Sequence, residues 1–473
     1  MKKHIILIVI ITLTTQIVYS QHEEQKYYPS TDTLVQKKLA WWQGIKFGLL
    51  MHWGTYSQWG IVESWSLCPE DEDWCKRNGK YSSNYFEYKK AYENLISTFN
   101  PTHFDPTKWA KAAKDAGMRY AIFTTKHHDG FCMFDTKQTD YKVTSQSCPF
   151  STNPKSNIAK EVFSAFRDEG FGVGAYFSKP DWHCPDYWDP YFPPFDRNPN
   201  YDIKKYPEKW DRYKAFTYNQ IQELVTDYGK IDILWLDGGW VQPMTETSPR
   251  WGKVPSNQDI DMPQIAEMAR KNQPGIIIVD RAVEGHYQDY LTPEQQIPDK
   301  PLSYPWETCM TMATSWSYVP GDINKPTRQI VQMLCTIVSR GGNYLLNIAP
   351  SPEGDFDPIA YQRLKEIGKW MIINGEAIYG TRPISPFKSG KVVLTAKENS
   401  IYAIYLTDED EKQLPSKIRI EGLKLSKPGK ATILGKNKTI KFTTGDNYIE
   451  LEIPDNHRML TEVDYAVTFQ IKK

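Results

Sequence analysis

From residue 46 onward, short apolar runs alternate with segments of 3.6-residue periodicity. The apolar runs lack regular polar alternation, which is typical of parallel strands covered on both faces. The predicted strands are 46–54, 120–130, 172–178, 231–239, 275–281 and 343–350. The predicted helices are 105–117, 157–170, 213–229, 262–273 and 326–342. This alternation predicts an α/β fold with a (β/α)8-like barrel of the TIM type. An open doubly wound sheet is the alternative, although no GxGxxG follows any of the strands.

Beyond Tyr379 the pattern changes from helical periodicity to strand-like alternation. The alternating segments are 391–407, 417–423, 430–436, 439–453 and 465–473. Asn, Gly and Asp turns separate them, which predicts an antiparallel β-sandwich. We therefore expect a catalytic barrel over residues 21–384 and a β-sandwich over 385–473. The sandwich is expected to pack against the barrel, with separate carbohydrate binding as the alternative.

Residues 1–20 have the layout of a secretory signal peptide. Lys2 and Lys3 precede an apolar stretch from Ile5 to about Leu13, and a polar end follows near Ser20. This stretch is too short and wrongly flanked for a membrane span. We expect cleavage after Ser20 and export to the periplasm or the medium. No membrane anchor is evident, because no cysteine lies at the junction to be lipidated.

The balance of charges narrows the classes of binding partner. Lys and Arg number 57, as do Asp and Glu, so the formal net charge is zero. Nucleic acids and anionic membranes are therefore poor candidates for partners.

Seven cysteines leave at least one thiol unpaired in an exported protein. Cys68 and Cys75 could form a disulfide, whereas Cys132, Cys309 and Cys335 are expected to be buried thiols.

Polar side chains follow the predicted strands where each strand ends. They are His52, His127, His128, Asp129, Tyr176, Asp237, Arg281 and Asn347. Because catalytic groups of (β/α) barrels lie at the carboxyl ends of the strands, these residues predict the lining of one site. A catalytic metal is not expected, since adjacent histidines on one strand point to opposite faces. A serine nucleophile is not indicated either, because GxSxG is absent.

Carboxylates with imidazole and aromatic partners are typical of glycoside hydrolysis. This reaction needs an ionised carboxylate near the anomeric carbon and a carboxylic acid that protonates the leaving oxygen. Asp237 at a strand end suits the first role, although it could instead cap the following loop. Glu284, Glu294 and Glu307 all compete for the second role, and local sequence does not choose between them.

Five motifs resemble those of the α-L-fucosidases of glycoside hydrolase family 29. They are MHWG (51–54), TTKHHDGF (124–131), WLDGG (235–239), VDR (279–281) and PWETC (305–309). The resemblance implies an irregular (β/α) barrel, a C-terminal β-sandwich and a retaining mechanism without metal or organic cofactor. It implies an exo-glycosidase that releases terminal α-L-fucosyl residues from fucosylated glycans through a covalent fucosyl-aspartate. A catalytically inactive fucose-binding lectin, or an exo-glycosidase for a related sugar such as galactose, remains the alternative.

The same resemblance assigns roles to individual residues. Asp237 falls on the nucleophile, and Glu294 in TPEQQ is the first choice for the acid/base, with Glu284 second. Glu307, inside the PWETC motif, is expected to be a structural acid. The substrate-binding residues that the resemblance implies are His52, Glu63, Trp65, His127, His128, Tyr176, Trp235, Arg281 and Trp316. Trp316 is expected to pack on the apolar 6-methyl face of fucose.

Overall fold

The computed structural model describes residues 26–69, 76–246, 248–436 and 438–472. The expected signal peptide lies outside these residues. Cys75 does as well, so the expected disulfide with Cys68 stays a prediction. Cys132, Cys309 and Cys335 are buried free thiols, as expected. Among the described residues, no helix combines the length and the apolar character needed to cross a membrane.

The first part of the chain forms a parallel sheet of seven strands surrounded by helices. The strands are β1 (Phe47–Met51), β2 (Tyr120–Lys126), β3 (Gly172–Ser178), β4 (Ile233–Asp237), β5 (Ile277–Asp280), β6 (Glu307–Thr311) and β7 (Asn343–Asn347). The helices are α1 (Thr33–Ile45), α2 (Tyr85–Glu93), α3 (Pro106–Asp115), α4 (Ile158–Asp168), α5 (Pro207–Asp227), α6 (Met262–Asn272), α7 (Thr327–Ser339) and α8 (Pro358–Asn374). The spatial order of strands is β5-β4-β3-β2-β1-β7-β6. This order confirms the barrel-type α/β fold.

The barrel closes through an irregular segment instead of an eighth strand. Strands β5 and β6 do not pair, and residues 281–306 between them contain no helix. Residues 288–295 lie in this gap. The Asp289 amide donates to the Ile278 carbonyl (2.9 Å), and the Gln295 amide donates to the Cys309 carbonyl (3.0 Å). This segment therefore bridges the two edge strands without forming a regular ladder.

Alternation along each strand sorts its side chains between the barrel interior and the helices. In β4, Ile233 and Trp235 belong to the interior cluster, whereas Leu234 and Leu236 pack under the helices. Because side chains on a strand alternate, the next inward position after Trp235 is Asp237. The carboxylate therefore lies at the carboxyl end of the barrel, on its axis side.

The last part of the chain forms one continuous antiparallel sheet of eight strands. The strands are β8 (Arg382–Ser389), β9 (Val392–Lys397), β10 (Ser400–Leu406), β11 (Lys417–Glu421), β12 (Gly429–Ile433), β13 (Lys438–Thr444), β14 (Tyr448–Glu452) and β15 (Ala466–Lys472). The sheet curls around its own apolar core, and its edge strands β8 and β11 meet where the Glu421 amide donates to Ser389 Oγ (2.9 Å). It is thus a near-barrel made from a single sheet.

The C-terminal sheet packs against the barrel helices. Trp370 of α8 donates its indole N–H to the Ala466 carbonyl (2.9 Å), and Gln332 of α7 donates to the Tyr465 carbonyl (3.0 Å). Both contacts join a barrel helix to the start of β15. The expectation that this region packs against the barrel is confirmed, while the boundary at residue 385 stays a prediction.

Candidate active site

A cavity of about 610 Å3 opens at the carboxyl ends of the barrel strands. The residues predicted from the sequence that line it are His52, Glu63, Trp65, His127, His128, Tyr176, Trp235, Asp237, Arg281, Glu294 and Trp316. Glu284 lies elsewhere: it is exposed and accepts a hydrogen bond from the Tyr28 hydroxyl (3.1 Å). The structure therefore brings one of the two proposed acids, Glu294, together with Asp237.

Asp237 is held by two hydrogen-bond donors at the end of β4. The Tyr176 hydroxyl donates to its Oδ2 (2.7 Å), and Arg281 Nη1 donates to its Oδ1 (2.9 Å). Burial by itself would raise the pKa of Asp237. The charge of Arg281, nearby His128 and the Tyr176 hydroxyl instead hold this pKa well below its usual range. The carboxylate is therefore ionised, oriented and only 14% exposed.

Arg281 joins the two carboxylates of the cavity. It directly follows β5, and its Nη1 contacts Asp237 while its Nη2 donates to Glu294 Oε2. Glu294 lies on the irregular segment between β5 and β6, and its side chain is 42% exposed. One carboxylate is thus fixed at the end of a strand, and the other is carried at the mouth on a segment without a regular ladder.

Each of three buried histidines is fixed through its Nδ1 by a neighbouring side chain. His52 contacts Asn347 Oδ1 (2.8 Å), His127 contacts Ser64 Oγ (2.5 Å) and His128 contacts Ser178 Oγ (2.7 Å). Burial lowers the pKa of His52 to about 4 and that of His128 to about 3. Burial also holds the pKa of His127 well below its usual range. All three rings are therefore neutral near pH 7.

The arrangement of His127 and His128 differs from the expectation that they point to opposite faces of a strand. That expectation is wrong because β2 ends at Lys126, so strand alternation no longer applies to the two histidines. Their ring centroids lie 4.1 Å apart, and both rings line the cavity.

His127, His128 and Asp237 also lie close enough to act together as metal ligands. One ligand atom from each lies within 4.8 Å of the others. Arg281, however, places a guanidinium 2.9 Å from Asp237, and this positive charge disfavours a cation at the same carboxylate. The set therefore suits the hydroxyl groups of a neutral ligand better than a metal ion.

Aromatic rings form the apolar part of the lining. The Trp316 ring lies 5.3 Å from His52, and its backbone carbonyl accepts a hydrogen bond from Asn347 Nδ2 (2.7 Å). Trp65 packs edge-on against His128 at 5.1 Å. Such flat faces beside hydrogen-bonding groups match the mixed apolar and polar surface of a sugar ring.

Glu63 is a third carboxyl in the cavity, and its environment differs from that of Asp237. Its side chain is buried, and its Oε1 accepts a hydrogen bond from the Ser317 amide (2.9 Å). Burial raises the pKa of Glu63 to about 7, and the charges of Glu294 and Asp237 add to the rise. Glu63 can therefore donate or accept a hydrogen bond near neutral pH.

Glu307 lies inside the barrel, below the cavity. Its carboxyl accepts hydrogen bonds from Tyr120 (2.6 Å), Tyr290 (3.1 Å) and the indole of Trp235 (3.3 Å). Burial raises the pKa of Glu307 to about 7. These contacts place it among structural groups of the core, where it supports Trp235 from beneath.

The sequence reasoning missed several residues of the site. Ser178 lies two residues after Tyr176 on β3, so strand alternation could have placed it on the same face. Trp240 closes the WLDGGW stretch three residues after Asp237, and this closeness in sequence could have marked it. Arg197 and Trp251 lie on long loops, and no local sequence signal marked them.

Comparisons with known proteins show which proteins this chain is similar to. A family model described as alpha-L-fucosidase matches residues 14–376. The chain is similar to the tissue alpha-L-fucosidase of Mus musculus, at 27% identity over 95% of each chain. It is also similar to the structure of alpha-L-fucosidase isoenzyme 1 from Paenibacillus thiaminolyticus, at 30% identity and a TM-score of 0.74. That match covers 93% of this chain and 99% of the other.

A further structural relative contains a reaction intermediate. It is a GH29 alpha-L-fucosidase from Bacteroides thetaiotaomicron, trapped as a covalent intermediate with 2-fluoro-fucosyl fluoride. Its identity to this chain is 25%, with a TM-score of 0.73. The match covers 94% of this chain and 98% of that one.

Proposed function

Since the chain belongs to the alpha-L-fucosidase family, we propose that it is an exported retaining exo-glycosidase that releases terminal α-L-fucosyl residues from fucosylated oligosaccharides or glycoconjugates. One observation carries this proposal. An ionised, oriented Asp237 and a more exposed carboxyl, Glu294, bind the same guanidinium inside a cavity lined by hydrogen-bonding and aromatic groups. The covalent intermediate trapped in the Bacteroides relative supports the same chemistry here.

In the first half of the reaction, Asp237 attacks the anomeric carbon of fucose. The C–O bond to the leaving group breaks, and Glu294 gives its proton to the departing oxygen, which leaves a fucosyl-aspartate. In the second half, Glu294 takes a proton from water, whose oxygen attacks the anomeric carbon and releases Asp237. Two inversions give net retention of configuration.

Two contacts of Arg281 support the pairing of Asp237 with Glu294. Retaining glycosidases hold their catalytic carboxyls about 5–5.5 Å apart. Arg281 binds Asp237 through Nη1 and Glu294 through Nη2, so one guanidinium holds both carboxyl groups in the same part of the cavity. The leaving oxygen of a bound substrate would replace the guanidinium as the partner of Glu294.

The remaining lining residues suit a deoxy sugar. The neutral rings of His52, His127 and His128 can bind hydroxyl groups through uncharged hydrogen bonds. Glu63 can donate or accept a further hydrogen bond, because its pKa is raised to about 7. Trp316 offers an apolar wall for the methyl group of fucose, where L-galactose would present CH2OH. This wall favours fucose over a sugar of the same hydroxyl arrangement.

Removal of the nucleophile tests the mechanism. Asp237→Ala or Asp237→Gly should lower the turnover of an aryl α-L-fucoside roughly 10³-fold or more, because no covalent intermediate can form. Added azide should restore part of the turnover and give the fucosyl azide of inverted configuration. Near-normal activity in both variants would remove Asp237 from the mechanism, and a wild type that only binds fucose would establish the lectin alternative.

Glu294→Ala tests the acid, with Glu284→Ala as the matched control. Glu294→Ala should slow substrates with poor leaving groups most and spare an activated aryl fucoside, whose phenolate needs little protonation. Glu284→Ala should leave both rates unchanged, because Glu284 is exposed and lies outside the cavity. If only Glu284→Ala loses activity on a fucosyl oligosaccharide, the two assignments must be exchanged.

Export forms a separate part of the proposal. Residues 1–20 provide its support, through their basic start and apolar stretch. N-terminal sequencing of protein recovered from the periplasm or the medium should begin at Gln21. Recovery of the intact N-terminus in the cytoplasm would contradict export without affecting the assigned chemistry.

A further inference from the structure

Two loop segments lie side by side at the mouth of the candidate active site. They are residues 195–200, which lie between β3 and α5, and residues 250–254, which lie between β4 and α6. Arg197 and Trp251 point to the side of the catalytic cavity and line it. Phe195 lies on the other side, where it lines a second cavity of about 1090 Å3. The two segments thus form a wall with one face toward Asp237.

Buried polar contacts hold the two segments together. Asn198 Nδ2 donates to the Trp251 carbonyl (2.9 Å), and the Val254 amide donates to Asp196 Oδ2 (2.6 Å). Asp196 and Asn198 are both buried. Gly252 has a φ of 76°, and a Cβ there would lie 2.5 Å from Asn198 Nδ2, so only glycine permits this approach. The backbone of Trp251 is therefore fixed before any ligand binds.

The indole of Trp251 is exposed even though its backbone is fixed. The Arg197 guanidinium lies 4.8 Å from the ring centroid of Trp65, 5.3 Å from that of Trp240 and 5.9 Å from that of Trp251. Trp240 is only 8% exposed, whereas Trp251 is 39% exposed. A tryptophan at the rim of a cavity that keeps 39% of its surface exposed leaves apolar ring surface in contact with water, which is typical of a binding surface.

The position of Trp251 indicates which part of a substrate would cover it. Asp237 lies deep in the cavity, with its side chain 14% exposed, and marks where the anomeric carbon of fucose must lie. Glu294, which would protonate the leaving oxygen, is 42% exposed and lies toward the mouth. Trp251 is exposed in the same cavity. The group beyond the leaving oxygen therefore extends toward the exposed part of the cavity, whose lining includes the exposed ring of Trp251.

We propose that Trp251 is the stacking platform for the leaving-group sugar, the pyranose to which fucose is attached. The indole face would pack on the C–H groups of one face of this pyranose, while the hydroxyl groups of the pyranose stay in water. This inference rests on the proposed function. It adds a subsite that favours glycans over fucosides whose leaving group is not a sugar.

The test compares two substrates that differ in the leaving group. α-L-Fucosyl fluoride releases a single atom and has no ring to stack on Trp251. The second substrate is the fucosyl disaccharide that the wild type cleaves fastest in a panel of linkages. Trp251→Ala should lower kcat/KM for the disaccharide roughly tenfold, the upper range for an aromatic contact, and change that for the fluoride by less than about twofold. Activity on the fluoride also verifies that the variant is folded.

Two further variants sharpen the test. Trp251→Phe keeps a flat face and should retain most of the activity on the disaccharide. Phe195→Ala removes an exposed ring from the other side of the same wall and should leave both substrates unaffected.

Equal losses on both substrates in Trp251→Ala, or no loss on either, would overturn the platform. A wild type that hydrolyses the fluoride and no disaccharide would overturn it too. A wild type that releases no fluoride at all would instead overturn the proposed function on which the platform rests.

Discussion

The carboxyl group of Glu307 allows a quantitative test of how burial in the barrel interior changes the pKa of an acid. The side chain is fully buried and receives hydrogen bonds from Tyr120, Tyr290 and Trp235. Burial, the largest influence, raises the pKa of Glu307 from 4.5 to about 7 despite these three donors. The folded protein therefore binds a proton at Glu307 over a pH range in which the unfolded chain has released it.

The sign and size of the effect follow from linkage. Because the folded-state pKa is raised, the stability contributed by this proton is complete below pH 4.5 and is lost as the pH rises through about 7. The loss between pH 5 and pH 8 is roughly 2–3 kcal/mol, since one pKa unit corresponds to about 1.4 kcal/mol. Glu307→Gln removes the titration and keeps a side chain of the same shape.

Urea unfolding of both proteins at pH 5, 6, 7 and 8 measures this difference. The free energy of unfolding of the wild type should fall relative to that of Glu307→Gln by roughly 2–3 kcal/mol from pH 5 to pH 8. Other titrating groups are common to both proteins and cancel in the comparison. Glu284→Gln makes the same change at an exposed site. The difference in the free energy of unfolding between this control and the wild type should not show the fall expected for Glu307→Gln. Parallel pH curves for the wild type and Glu307→Gln would refute the reasoning.

Two further changes probe other parts of the molecule. Lys179→Met should destabilise the protein by about 3–5 kcal/mol in urea unfolding, because Asp280 would keep a buried carboxylate without its partner 2.5 Å away. The same change at exposed Lys111 should cost less than about 1 kcal/mol, and equal effects of the two would contradict this account. Trp316→Ala should lower the ratio of kcat/KM for an aryl α-L-fucoside to that for the matching L-galactoside by roughly tenfold, and an unchanged ratio would remove Trp316 from methyl recognition.

The strands that the sequence predicted are those with apolar side chains on both faces. The strand β6 was not predicted, because its sequence is ETCMT and places Glu307, Thr308 and Thr311 at buried positions. Its inward carboxyl is satisfied by Tyr120, Tyr290 and Trp235, which come from distant parts of the chain. A polar strand of this kind is stable only in its tertiary setting, so local periodicity could not reveal it.

Most of the site could be predicted because parallel strands bring their carboxyl ends to one edge. His52, Tyr176, Asp237 and Arg281 each end or follow a predicted strand, and the structure gathers them in one cavity. Arg197 and Trp251 were not predictable in this way. Their positions depend on contacts between two long loops, which no sequence period describes.

The two catalytic candidates, Asp237 and Glu294, differ in how far the sequence could predict their positions, and their secondary structure explains this difference. Asp237 continues a strand that pairs with two neighbours, so its position follows from the ladder and could be predicted from one apolar run. Glu294 lies on a segment that replaces a strand, tied to β6 by a bridge to Cys309. Three glutamates near that segment were equivalent by local sequence, and the guanidinium of Arg281 distinguishes one of them. In the proposed mechanism the nucleophile needs rigid placement, which the regular strand β4 gives to Asp237, whereas the proposed acid, Glu294, lies on the irregular segment that closes the barrel.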